Sequence, residues 1–226
     1  MPARIVFGID EAGRGPVLGP MALAIVGLAP AAADALLEDG LADSKTFGST
    51  RAGRAARARL AAAIVARASF VRCVLVPAFV VDAFTARRGL DELERLVARD
   101  LVAAARAEHD GPVVCDGARL FRPLERLVPG LSARDRADAG EPAVAAASIV
   151  AKQARDEALD AVLAPLADRF GPIRGGGYAN AATRRFLRAH LEAFGCLPPH
   201  TRHTFLRGGF LDRPPVQASL GLDEGG

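Results

Sequence analysis

The sequence predicts a mixed α/β fold, one sheet flanked by helices, and three observations carry that reading. Its 226 residues fit one domain, or one domain with a small appendage. Half of them are hydrophobic and 24% are charged, which supplies a packed core and argues against wholesale disorder. The apolar runs order themselves as strands, then helices, a strand, and helices again, without the regular alternation of a doubly wound sheet.

Residues 4–9 (RIVFGI) are β-branched and aromatic and predict a strand that ends in the glycine-punctuated turn DEAGRGP. Residues 21–28 (MALAIVGL) are its hairpin partner, and residues 31–37 form a short helix. Residues 50–69 predict a helix with arginines on one side and Leu60, Ile64 and Val65 on the other. Residues 70–76 (FVRCVLV) are a third strand. One or two helices span residues 80–109, broken near Gly89. The buried strand PVVC (112–115) ends at Asp116-Gly117, and the stretch from there to Pro142 reads as loop-rich, with no helix or strand assigned. Residues 143–164 are strongly helical and should stop or kink at Pro165, and residues 181–194 form another helix. From Asp212 the chain is rich in Pro and Gly and is expected to be a loose tail, so residues 1–210 are assigned to one domain and 211–226 to the tail.

Composition excludes several function classes. Cys73, Cys115 and Cys196 are odd in number and lack C-x-x-C spacing, which argues against a disulfide framework or a zinc ribbon and fits a cytoplasmic setting. No apolar run approaches the roughly 20 residues of a membrane span. With no Trp and one Tyr, the chain has no field of aromatics for stacking bases. The net charge of +3 is too small to establish a nucleic-acid partner. Only Lys45 and Lys152 are lysines among 29 basic residues. A monomer is the default.

Three groups of residues suit chemistry. Asp10 and Glu11 sit where a strand breaks into glycines, and Asp116 sits where another strand ends. Carboxylates gathered from strand ends hold hard divalent cations such as Mg²⁺. The alternative is a set of solvated turn acids, and for Asp116 taken alone it is the better reading. Neighbours on a straight strand face opposite sides, so Asp10 and Glu11 converge only if the backbone bends there. Gly13-Arg14-Gly15 lets backbone amides approach a ligand and adds an arginine fork, although such a triplet is more often a plain turn. Ser148 and Lys152, four residues apart, share a helix face suited to a phosphate or to a helix core with incidental polar groups. There is no P-loop, and His109, His190, His200 and His203 lack metal-site spacing.

Taken in order, GIDEAGRGP (8–16), Asp43-Ser44-Lys45, VVCDG (113–117), AAASIVAKQARD (145–156), GGY (176–178) and a stretch near HTRHTF (200–205) resemble the ribonuclease HII family. The resemblance spans roughly residues 4 to 206. It implies a ribonuclease H-like mixed sheet flanked by helices, with a small C-terminal helical extension. It implies that Asp10, Glu11, Asp116 and Asp138 are catalytic metal ligands for Mg²⁺ or Mn²⁺, with Asp135 a nearby competitor for the fourth place. It further implies that Gly13, Arg14, Gly15 and Tyr178 recognise a ribonucleotide, and that Lys45, Ser148 and Lys152 contact phosphates.

The implied activity is hydrolysis 5′ to a ribonucleotide in RNA–DNA hybrids and in duplex DNA with embedded ribonucleotides. Two metal ions about 3.5–4 Å apart would leave 3′-hydroxyl and 5′-phosphate ends. The implied roles are ribonucleotide excision repair and removal of RNA primers. Asn180 stands where the family typically shows threonine, Thr201 where histidine is common, and Thr46-Phe47-Gly48 is atypical. Residues 217–222 (QASLGL) resemble peptides that dock on a bacterial sliding clamp, with Ala218 where a larger residue is usual. Rival readings are a non-catalytic hybrid-binding protein and a DNA junction resolvase.

Overall fold

The two longest apolar runs pair as a hairpin. β1 (Val6–Ala12) and β2 (Met21–Leu28) are antiparallel from Val6↔Leu28 to Ala12↔Ala22. β3 (Phe70–Val76) adds antiparallel to β2, and β4 (Val113–Asp116) adds parallel to β1. β5 (Leu131–Arg134) follows parallel to β4, giving the order β3-β2-β1-β4-β5. The structure, a computed structural model, describes residues 4–41, 47–48, 50–171, 173, 175–206 and 211.

Strand alternation divides the core in two. Phe7, Ile9, Met21, Leu23 and Ile25 face α3 (Ala78–Arg87), α4 (Leu90–Arg106) and α5 (Ala118–Glu125). Ala22, Ala24, Val26 and Leu28 face α1 (Pro30–Glu38), α2 (Arg51–Arg67) and α6 (Pro142–Leu163). α6 approaches β1 closely because its first turn, at Ala143 and Val144, lies against Gly8, and Ala145, Ala146 and Ala147 keep the following turn small. A Cβ on Gly8 would lie 2.1 Å from the Ala143 carbonyl carbon and 2.2 Å from the Val144 nitrogen. A third cluster joins Val17, Leu18 and Leu159 to Phe186 and Leu187 of α8 (Ala181–Phe194), which docks the C-terminal helices on the sheet domain. α7 is the single turn Ala167–Phe170.

Two expectations require correction and one is met. The 117–142 stretch is not simply loop, since it holds α5 and β5. Both depend on partners distant in sequence: β5 has four residues paired to β4, and the first amide of α5 is capped by Asp135, 2.8 Å away. The long helix runs Pro142–Leu163, within a residue of the expected bounds, and gives way at the proline to a 3-10 turn, Ala164–Leu166, as the expected stop or kink requires. β1 runs on to Ala12, so the backbone turns after the acidic pair rather than between its members.

Candidate active site

Asp10 and Glu11 stand in unbroken register opposite Ala24 and Leu23. Asp10 shares the parity of Gly8 and faces α6, where the Ser148 hydroxyl bonds its carboxylate. One Asp10 oxygen also accepts the Glu11 amide at 2.8 Å. Because β4 runs parallel to β1, its terminal Asp116 reaches the same edge of the sheet. Asp138 arrives by another route. Arg136 takes a left-handed conformation (φ 57°) and opens the 3-10 turn Ala137–Ala139. The Ala137 amide donates to Asp116 at 2.8 Å and ties that turn to β4. One carboxylate oxygen from each of Asp10, Asp116 and Asp138 lies within 4.8 Å of the other two. Asp135 is occupied instead in capping α5.

Glu11 is a neighbour of this trio rather than a member of it, with its carboxyl hydrogen-bonded to that of Asp10. Burial pushes the Asp10 carboxyl well above its ordinary range, and the Glu11 charge adds to the rise. Burial also raises Glu11, against the pull of the Arg14 guanidinium. Carboxylates crowded together and withdrawn from water are relieved by a cation. The donors are all hard oxygens, so the set suits divalent ions that prefer such ligands.

The acids lie on a cleft of about 940 Å³ whose lining includes Asp10, Glu11, Asp116, Gly13, Arg14, Gly15 and Tyr178. Tyr178 is 50% exposed, and its ring stands 3.4 Å from where a Cβ on Gly15 would sit. Gly175, Gly176 and Gly177, all with positive φ, deliver it there, and the Gly177 carbonyl accepts the amides of Val17 and Leu18. The turn after β1 and the tyrosine loop therefore form one wall. The Arg14 guanidinium is paired with Asp91 and, at 3.2 Å, with Glu94 of α4.

Of the expected phosphate contacts, Ser148 is buried beneath Asp10, and Lys152 lines the cleft, paired to Asp156 at 2.7 Å. Lys45 lies outside the described residues, as does the 217–222 segment. Asn180 caps α8 by accepting the Thr183 amide at 2.9 Å. Thr201 is buried and bridges Leu18. His190 is structural, its ring tilted against Phe194 with centroids 4.7 Å apart and one ring nitrogen 2.8 Å from the Cys196 carbonyl.

Sequence reasoning missed the residues that hold this wall together. Arg155 and Arg202 are fully buried. Arg155 binds the Gly176 carbonyl at 2.5 Å and Asp156 at 3.2 Å. Glu94 is fully buried as well, and burial pushes it up to about 8 despite Arg14. Both arginines lie in segments that carry the family resemblance, but a chain so rich in arginine gives no local sign of which ones turn inward.

The family model described as ribonuclease HII matches residues 7–207. A ribonuclease HII of Chromobacterium violaceum is 36% identical over 231 residues, covering 100% of this chain and 98% of its own. That of Haloarcula marismortui is 32% identical and covers 88% and 90%. Among solved structures, the ribonuclease H2 of Pyrococcus horikoshii is 25% identical with a TM-score of 0.71, covering 88% of this chain and 93% of that one. The ribonuclease HII in a complex with PCNA from Archaeoglobus fulgidus is 26% identical with a TM-score of 0.76, covering 93% and 98%. With its fold and nearly its whole length matched, this chain belongs to the ribonuclease HII family, hydrolases that act on RNA–DNA hybrids.

Proposed function

We propose that the chain is an endoribonuclease cutting 5′ to a ribonucleotide, both in RNA–DNA hybrids and in duplex DNA with embedded ribonucleotides. The supporting observation is the carboxylate trio Asp10, Asp116 and Asp138, of which Asp10 and Asp116 line the same cleft as Gly13–Gly15 and Tyr178. In this reading the trio and Glu11 are the oxygen ligands for Mg²⁺ or Mn²⁺. Two such ions, when bound, supply an activated water and offset the charge of the leaving alkoxide. Ser148 steadies the Asp10 carboxylate through its hydroxyl. The ends left are a 3′-hydroxyl and a 5′-phosphate, and no protein nucleophile is used.

Selectivity falls to the other wall. Amides of Gly13–Gly15 and the Tyr178 hydroxyl bond the 2′-OH, while the tyrosine ring packs against the nucleotide. The 2′-OH is what separates RNA from DNA at one position. A site built to bond a hydroxyl rejects its analogue by about 10⁴-fold. Lys152, Ser148 and Lys45 contact flanking phosphates.

The biological roles we assign are ribonucleotide excision repair and primer removal. Residues 1–210 form the catalytic domain with its C-terminal helical segment, and residues 211–226 form a tail. Residues 217–222 are the candidate clamp-docking peptide, a reading supported by the Archaeoglobus fulgidus relative, whose structure is a complex with PCNA.

The test is cleavage of duplex DNA carrying one ribonucleotide, with Mg²⁺ or Mn²⁺, beside an all-DNA control. A cut on the 5′ side of the ribonucleotide is expected, and none in the control. No cut would favour a hybrid-binding protein, and equal cutting would favour a junction resolvase. Asp10→Asn and Asp116→Asn should abolish cleavage while sparing the fold. A near-wild-type rate in either would overturn the ligand assignment.

A further inference from the structure

The guanidinium of Arg202 is spent on three backbone carbonyls of one loop. Its Nη2 donates to Gly13 at 2.8 Å, its Nη1 to Arg14 at 3.0 Å, and its Nε to Gly19 at 3.0 Å. Its own amide donates to Val17 at 2.8 Å. One residue of the C-terminal segment thus grips the turn after β1 at both ends. The side chain is fully buried over the Phe205 ring, and burial lowers it to about 10, so it stays charged at neutral pH.

Peptide geometry turns this grip into an orientation. In a trans peptide the C=O and the following N–H point in opposite directions. With the Gly13 and Arg14 carbonyls bound to Arg202, the amides of Arg14 and Gly15 are turned away from it, and both residues line the cleft. A cation on the carbonyl oxygens also polarises those peptide units, which makes their N–H groups stronger donors. A planar fork with five donors can hold three acceptors at once, and an ammonium on a flexible stem cannot reproduce that geometry.

We propose that Arg202 is a positioning residue for ribonucleotide selection, aiming and strengthening the Arg14 and Gly15 amides from behind the turn. The proposal rests on the reading above that this turn recognises the ribonucleotide. It adds that the C-terminal segment sets selectivity without touching substrate.

The experiment uses the full chain. Arg202→Lys and Arg202→Ala are compared with wild type for kcat and KM on the one-ribonucleotide duplex, and for affinity relative to all-DNA duplex without added divalent ion. The expected result is a loss of at least tenfold in that preference, seen mainly in KM. Mn²⁺ binding should be unchanged, because the carboxylates are held by the sheet and by Ser148. Millimolar methylguanidinium should restore part of the preference in Arg202→Ala and none in Arg202→Lys.

Wild-type preference in folded variants overturns the proposal. So does a loss that only tracks weakened Mn²⁺ binding or unfolding. A measurement on wild type needs no variant: the ribonucleotide duplex should slow amide exchange across residues 13–15 more than all-DNA duplex does, and equal protection also overturns it. If wild type itself ignores the ribonucleotide, the functional reading fails instead.

Discussion

Replacing Glu94 with glutamine should flatten the pH dependence of stability. Glu94 is fully buried, and burial raises its carboxyl from 4.5 to about 8, offset in part by Arg14 at 3.2 Å and aggravated by Glu11 and Asp91. The unfolded chain releases this proton near pH 4.5, whereas the folded chain keeps it until about pH 8. Between those values the folded state binds more protons, so stability falls as pH rises; the contribution is fully present below 4.5 and exhausted above 8. At about 1.4 kcal/mol per unit, the interval from pH 5.5 to 7.5 costs wild type about 2.5 kcal/mol through this group. Glu94→Gln keeps the shape and removes the titration, while groups remote from it titrate alike in both chains and the charges of Glu11 and Asp91 are relieved by its loss in the same direction. Urea unfolding at the two pH values, without divalent ions, measures the difference. With a slope of about 3 kcal/mol/M, the wild-type midpoint should fall about 0.8 M further than the variant's. Parallel profiles within about 0.5 kcal/mol would refute the reasoning and show that Glu94 is ionised in the fold.

Other perturbations probe the remaining joints. Gly8→Ala drives a methyl into the α6 backbone and should cost about 3 kcal/mol or more, with reduced cleavage as Ser148 leaves Asp10; a melting temperature near wild type would argue against that close approach. Asp135→Ala should cost about 1 kcal/mol through the lost cap on α5 and leave cleavage intact, whereas Asp138→Asn should abolish cleavage; the opposite pattern would exchange their roles. Divalent ions must displace protons from the raised Asp10 and Glu11 carboxyls, so Mn²⁺ should raise the melting temperature more at pH 8 than at pH 6. A shift independent of pH would place the ion elsewhere.

Elements with local signals were legible and those without were not. The hairpin strand Met21–Leu28 and the helix Ala181–Phe194 have the bounds expected of them, because an unbroken apolar run marks the first, while Asn180 and Gly195 bracket the second. α5 carries an internal proline, Pro123, and β5 has only four residues, so neither rises above a loop reading until Asp135 and β4 meet them. Glu11 shows the same division. Its place beside Asp10 was legible, but that it stands outside the trio while its carboxyl still bonds Asp10 was not, because this depends on strand register through Ala12.

The sequence by itself determined the α/β class and the family, and it singled out Asp10, Glu11 and Asp116 together with the turn and tyrosine that share their cleft, because each lies in a short segment whose residues declare it. The tertiary structure alone decided that Asp138 and not Asp135 joins Asp10 and Asp116, that Arg14 is paired to α4, and that Arg155 and Arg202 turn inward to hold the tyrosine loop and the turn after β1. The reason is that a buried charge is recognised by what surrounds it. Its partners here are carbonyls and carboxylates as many as 189 residues away along the chain, brought within hydrogen-bond distance only when the sheet and the C-terminal segment close on one another.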